Sequence, residues 1–459
     1  MVKSVVRIQS SSRRKTSRLA SIAAGVVLLQ SAVWAAEPAP ADSRALRRTP
    51  VVEVFKQFND AVVFVTGPIF KGDQPPATEF FNPAAKGPQE SGVGSGFIIH
   101  PAGYIVANAH AVEKLIFPVV MLSDRKQYPA ELLASYHNLD LALLKIDAGR
   151  PLKAVRLARS NDLMIGETVI VIANPHALLH TCTTGVLSAV GRDVRLADVP
   201  GVTLPDLIQS DAGINPGSSG GPWFNVVGEV IGFTTSMRKD AENIAFANPV
   251  AALRRMLPEM LDVERRYGLV TGLGVAADGP CRVTAVEPDL PAAKAALRVG
   301  DTITQIGDRP TPTAADFHLA MIGRKPEEIL LIRLERDNKP QAASLVLGRR
   351  PKPDAAALFK KKLGLEVVPL DPQQAKEMGL RVARGLVVKT VELKLYENLD
   401  HRPQPGDVLA RIGWIRPRDL DQAGLLLEKV PPNQPLSLVF LRRAGNVGTR
   451  IDVNLVVPK

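Results

Sequence analysis

A chain of 459 residues has room for about three domains at ~150 residues each. Its formal net charge of +11 falls to about +5 once residues 1–35, with six basic and no acidic side chains, are set aside; no dense Lys/Arg run with interleaved aromatics follows, which excludes nucleic acid as the reason for the basic balance. Two distant cysteines, Cys182 and Cys281, exclude a disulfide framework and a cysteine metal quartet.

The N-terminus places Lys3, Arg7, Arg13, Arg14, Lys15 and Arg18 ahead of an apolar run, Leu19–Leu29, and a small-residue end, Val33-Trp34-Ala35-Ala36. This is the pattern of a secretory signal peptide over residues 1–36, so a periplasmic or secreted location is expected. An uncleaved anchor would also start with such a run, but this one is short for a full span. Arg13-Arg14 lacks the apolar residues that usually follow a twin-arginine pair. Residues 37–49, rich in Pro, Ala and Arg, read as a linker.

Residues 50–266 read as a strand-rich domain. From Val51 to about Ile244, short apolar runs such as Ala61–Val65, Ser95–Ile99, Tyr104–Val106, Leu141–Ile146 and Thr168–Ile172 are punctuated by Gly, Pro, Asn and Asp. Many short strands without long helices predict an all-β barrel or sandwich. Residues 70–92 read as an irregular insertion. The spacing of Leu253, Met256, Leu257, Met260 and Leu261 predicts a closing helix from Val250 to about Arg266, with Pro258 as the site of a kink or break.

A module then occurs twice, over residues 267–350 and 351–459. Leu273-Gly274-Val275, Arg282–Val286 and Val299-Gly300-Asp301-Thr302-Ile303 are echoed by Leu363-Gly364-Leu365, Gly385–Val388 and Pro405-Gly406-Asp407-Val408-Leu409.

The stretch Asp211–Pro222 sets Ser219 in a glycine-dense turn between apolar runs. A flexible Gly/Ser turn would look the same in isolation. A serine nucleophile, however, needs a base, an orienting acid and backbone donors for the oxyanion. His110 closely follows an apolar run, Asp140 opens another, and the order His110, Asp140, Ser219 is that of chymotrypsin-like barrels rather than subtilisins or α/β-hydrolases. His137 reads as a solvated loop residue. His176 and His180 have a spacing that suits a metal, but nothing completes a site, and no cofactor is expected.

The segments Gly94–Ile99, Tyr104–Val112, Asp140–Ile146 and Asp211–Pro222 resemble the HtrA/Deg serine proteases, and the two repeats resemble the PDZ domains that follow that protease domain. The resemblance implies a mostly β fold, a chymotrypsin-like double β-barrel followed by two PDZ domains. It implies His110 as base, Asp140 as orienting acid, Ser219 as nucleophile, and oxyanion N–H groups from Gly217 and Ser219 with Ser218. It also implies recognition of misfolded proteins, capture of peptide C-termini by Leu273-Gly274-Val275 and Leu363-Gly364-Leu365, and a trimer-based homo-oligomer. A PDZ-based scaffold with a dormant protease domain is the alternative. Gly213, six residues before Ser219, leaves no charge for a basic side chain. With Ile244, Ala245 and Phe246 as an apolar wall, cleavage after small or medium aliphatic residues is expected. The chain departs from the family at Ala173-Asn174-Pro175-His176-Ala177, where two glycines and an aromatic are usual, and at Glu397–His401 in the second repeat.

Overall fold

The computed structural model describes residues 43–69, 91–115, 117–159, 162–195, 203–237, 243–380, 384–399, 401–444 and 447–458. The expected signal peptide and most of the 70–92 insertion lie outside the described residues; Ser91 and Gly92, at its end, belong to a strand. The chain divides into two compact units, Met1–Arg48 and Thr49–Lys459. In the first, the described residues form one short helix, Ser43–Leu46.

The second unit opens with a helix, Pro50–Phe58, where strand-like sequence was expected. Thr49 caps it by accepting from Val52 N at 3.4 Å, and Pro50 stands at the first helical turn, where a missing N–H costs nothing. Its buried residues Val54 and Phe58 are four apart, and Phe58 stacks on Phe224 with ring centroids 5.2 Å apart.

Seven antiparallel strands follow: β1 (Val62–Pro68), β2 (Ser91–His100), β3 (Tyr104–Ala107), β4 (Val119–Met121), β5 (Gln127–Pro129), β6 (Glu131–Tyr136) and β7 (Leu141–Lys145), in the order β5-β4-β1-β2-β3-β7-β6. The next seven are β8 (Arg156–Leu157), β9 (Thr168–Ala173), β10 (Thr181–Arg195), β11 (Thr203–Ser210), β12 (Pro222–Phe224), β13 (Glu229–Met237) and β14 (Ala245–Pro249). Here β12 pairs with both β9 and β13, so β9–β14 close into a ring with β8 appended to β13. Closure gives each of β9–β14 a partner on both sides.

Both faces of the central strands are covered, which is why they read as unbroken apolar runs. Val63, Ile98, Ile105 and Leu144 fill the first barrel, while Val62, Phe97, Val106 and Leu143 face a core shared with Ile170, Ile172 and Phe233 of the second. Side chains on a strand alternate between faces, so each strand feeds two cores.

The helix Val250–Leu261 passes through Pro258 and stops at Asp262, a left-handed residue (φ 44°), after which Val263–Tyr267 forms a second short helix. The break therefore falls four residues beyond the expected position. The shared core continues from Leu253, Leu257 and Met260 into the first repeat through Val283, Ile303, Phe317 and Ile332. Buried Arg254 fastens that junction, donating to Leu157 O (2.6 Å), Ala158 O (2.7 Å) and Thr313 Oγ1 (2.6 Å), and pairing with Asp316 at 3.2 Å.

The two repeats share one electrostatic device. Asp301 and Asp407, each 1 % exposed, receive a two-pronged guanidinium from Arg336 (2.7 and 2.7 Å) and Arg442 (2.8 and 2.8 Å), and each accepts a backbone N–H three residues upstream, from Arg298 and Gln404. A buried carboxylate needs such partners, and this accounts for the repeated Gly-Asp. The second domain is a five-stranded sheet packed on the helices Ala355–Leu363 and Leu420–Lys429.

Burial pushes the His318 imidazole, on the helix Ala314–Ala320, down to about 4. Its ordinary value is 6.5, so between 6.5 and about 4 the unfolded chain binds a proton that the folded chain does not. Stability falls as pH drops through that window. Chemical denaturation at stepped pH should show this fall, and His318→Gln should flatten it; the same slope in the variant would refute the assignment.

Candidate active site

His110 lies in the one-turn helix Ala109–Val112, which leaves β3 directly. Asp140 ends the turn His137–Leu139 and opens β7. It adopts the left-handed conformation (φ 52°, ψ 41°), which aspartate tolerates better than most residues. That kink turns its carboxylate onto the imidazole: both oxygens lie 2.9 Å from His110 Nδ1, and Oδ1 also accepts His110 N–H at 3.0 Å. Thr235 Oγ1, on β13, donates to Oδ2. The Asp140 side chain is 2 % exposed and that of His110 is 27 %. An imidazole whose Nδ1–H faces a buried carboxylate carries its proton there, which makes Nε2 the basic nitrogen.

The Ser219 turn is bolted to both barrels. Ser219 O accepts Ser95 N–H at 2.7 Å, Gly217 O accepts Ser95 Oγ–H at 2.8 Å, and Gly220 N–H reaches Thr234 O at 2.8 Å. Gly94 keeps strand β2 thin between the two halves of the site. A Cβ there would lie 3.1 Å from the Ala111 Cβ and 3.7 Å from Ser219 O, so the His110 and Ser219 turns flank the same residue.

The turn also fixes its own donors. His176 N–H holds Pro216 O at 3.0 Å, and Gly221 N–H holds Ser218 O at 2.8 Å. Across a trans peptide the N–H points opposite to the C=O, so Gly217 N–H and Ser219 N–H face away from those anchors. Among the described residues neither has an acceptor. Two open, converging-type donors beside a half-buried serine suit an oxyanion. Gly217 has φ +95° and no space for a Cβ, which would meet Asn174 O and His176 N at 3.0 Å, so only glycine fits.

Comparison with known proteins bears on this geometry. Residues 94–233 match the trypsin-like peptidase domain and residues 230–347 match the PDZ domain. A protein of Ectopseudomonas mendocina named "Probable periplasmic serine endoprotease DegP-like" is 31 % identical, over 82 % of this chain and 85 % of its own length. The chain belongs to the DegP-like HtrA family of serine endoproteases. A relative of the same name in Pseudomonas fluorescens is 29 % identical over 82 % of this chain and 84 % of its own. A solved serine endoprotease from Yersinia pestis is 26 % identical, covering 66 % of this chain and 99 % of that one, with a TM-score of 0.37.

Against the family pattern, several expected site residues sit differently. Ser218 N–H is spent on Asn215 O at 2.9 Å inside the turn, so it is not an oxyanion donor. Ile244 and Phe246 pack on Leu204 and Leu207, and Ala245 lies in the second barrel core. Gly213 is exposed, and a Cβ there would meet nothing within 4 Å. The unusual loop after Asn174 keeps left-handed backbone without glycine, at His176 (φ 48°) and Ala177 (φ 61°).

The PDZ loops diverge as well. Leu273–Val275 pairs with Val283–Val286 on one side, and its other edge is unpaired among the described residues. Leu363-Gly364-Leu365 is buried and committed: Gly364 N–H caps the helix Ala355–Leu363 through Lys360 O and Phe359 O, and Leu363 O accepts Tyr396 Oη–H at 2.6 Å. Its Gly364 N–H is therefore not presented to a peptide carboxylate.

His137 lies in a turn with its side chain 39 % exposed, and it also has a partner. Its Nδ1 lies 2.9 Å from Oε2 of Glu113, whose side chain is 4 % exposed and which also accepts Ser135 Oγ–H at 2.6 Å. Thr235, Glu113 and Ser95 carried no motif; each acts through a partner 22 to 122 residues away. Thr235→Val deletes one donor to Asp140 and keeps the shape. Steady-state kinetics on a peptide substrate should show kcat reduced about 10-fold with KM little changed, and an unaltered kcat would reject the contact as functional.

Proposed function

We propose that this chain is a periplasmic endopeptidase that degrades misfolded or damaged proteins without ATP, through Ser219, His110 and Asp140. The observation that carries the reading is the buried Asp140 carboxylate, with both oxygens 2.9 Å from His110 Nδ1, beside a serine turn with two unclaimed N–H groups. In this reading His110 Nε2 takes the Ser219 proton as Oγ attacks the scissile carbonyl, and Gly217 and Ser219 N–H bind the developing oxyanion. The imidazolium, stabilised by Asp140, then protonates the departing amine, and water hydrolyses the acyl-enzyme by the same route in reverse.

Residues 50–266 would form the protease, with PDZ domains over 267–350 and 351–459. The first PDZ domain would capture peptide C-termini at the open edge of Leu273–Val275 by strand addition. The committed Gly364 argues for a different role for the second. Export would follow from the N-terminal signal pattern, in line with the periplasmic names of the relatives. Among the described residues no helix is long and apolar enough to cross a membrane. A trimer-based homo-oligomer is part of the proposal by family membership.

Digestion of casein by wild type and Ser219→Ala tests the nucleophile. Cleavage should persist in the wild type and drop by about 10³-fold or more in the variant. Equal cleavage removes Ser219 from the role, and cleavage by neither favours the scaffold. Because Gly213 offers no charge, a peptide library should be cut after Val, Ala or Leu; a profile dominated by Lys or Arg rejects the specificity assignment.

A further inference from the structure

Two facing turns each carry one imidazole and one carboxylate at a spacing of three residues. The first holds His110 and Glu113, the second His137 and Asp140. Residues three apart on a helical turn share a face. The pairs cross between the turns: His110 Nδ1 meets Asp140 at 2.9 Å, and His137 Nδ1 meets Glu113 at 2.9 Å. The result is a ladder of two rungs with the roles of the turns exchanged.

We propose that Glu113 is a positioning residue for the reaction, and that the Glu113–His137 rung sets the distance and angle at which Asp140 meets His110. This rests on the reading of Ser219, His110 and Asp140 given above. Glu113 closes the His110 turn, with its N–H on Ala109 O at 2.9 Å. His137 starts the other turn, and its carbonyl accepts Asp140 N–H at 3.1 Å. A rotation of one turn against the other therefore acts on both rungs together. Ser135 Oγ–H on Glu113 Oε1 at 2.6 Å holds the carboxylate in place from β6. Glu113 is buried, with its side chain 4 % exposed, so the carboxylate depends on His137 and Ser135 rather than on bulk water for its partners.

The charged groups around the rung are few. Glu113 lines a cavity of about 340 Å³ with Glu131, and with Arg384, Arg411 and Arg416 of the second PDZ domain. Arg411 Nη2 donates to Leu115 O at 3.2 Å, two residues from Glu113.

The test compares wild type, Glu113→Gln, His137→Gln and the double variant on one peptide substrate, with Ser219→Ala as the reference. Each single variant should lose about 10-fold or more in kcat with KM nearly unchanged. A looser Asp140 contact stabilises the His110 imidazolium less, so the acid limb of kcat/KM should move to lower pH in both. The double variant should be no worse than the worse single one, because one clasp is removed once. Should Glu113→Gln fail to fold, His137→Gln, whose side chain is 39 % exposed, decides alone. Folded variants with wild-type kcat and an unmoved acid limb overturn the proposal, as does a loss confined to thermal stability. Cleavage by Ser219→Ala at the wild-type rate overturns the underlying reading instead.

Discussion

Ser95 is the bolt on which the site depends. It sits on β2 of the first barrel, fully buried, and three of its contacts cross to the second. Its N–H meets Ser219 O, its hydroxyl proton meets Gly217 O, and its oxygen accepts Asn174 N–H at 2.8 Å. A buried hydroxyl without partners is costly, so the three contacts hold each other in place. The serine turn belongs to the second barrel by sequence, yet its two outer carbonyls are fixed from the first. Ser219 and the His110 turn therefore keep their relation as long as the barrels stay together, which the shared core of Phe97, Val106, Ile172 and Phe233 ensures.

On the other side of β2 the same logic applies to the base. His110 and Asp140 come from neighbouring connections of one sheet, but Thr235 reaches Asp140 from the second barrel. The carboxylate thus accepts from three protein donors, His110 N–H, His110 Nδ1–H and Thr235 Oγ1–H, and two of the three belong to the histidine. Left-handed backbone at Asp140, His176 and Ala177 surrounds this region. Such conformations cost free energy and persist only where neighbouring contacts over-determine them. Here those contacts are the imidazole at Asp140 and the Pro216 carbonyl at His176.

The PDZ domains show how one pattern serves two ends. Gly-Asp recurs because Asp301 and Asp407 are buried counterions of Arg336 and Arg442. The apolar-Gly-apolar start recurs without a common job: Leu273–Val275 is an edge strand, whereas Gly364 ends a helix. Arg254 and a continuous core bind the first domain to the protease, so that a peptide on its edge strand would load a rigid body rather than a tethered one.

Much was legible in the sequence because it is local. Strand runs, the closing helix, the repeat and the order His110, Asp140, Ser219 all follow from residue type and spacing. The helix at Pro50–Phe58 was missed because its apolar residues read equally well as a strand, and only Thr49 and Pro50 mark its start. Tertiary structure alone decided which donors the turn leaves open, since Ser218 loses its N–H to Asn215 and Gly217 does not. It alone decided that Ile244 and Phe246 pack on β11, that Gly364 caps a helix, and that His137 faces Glu113. For His137 and for Ile244 and Phe246 the reason is that a contact partner is chosen by proximity in space, and spacing along the chain does not encode it.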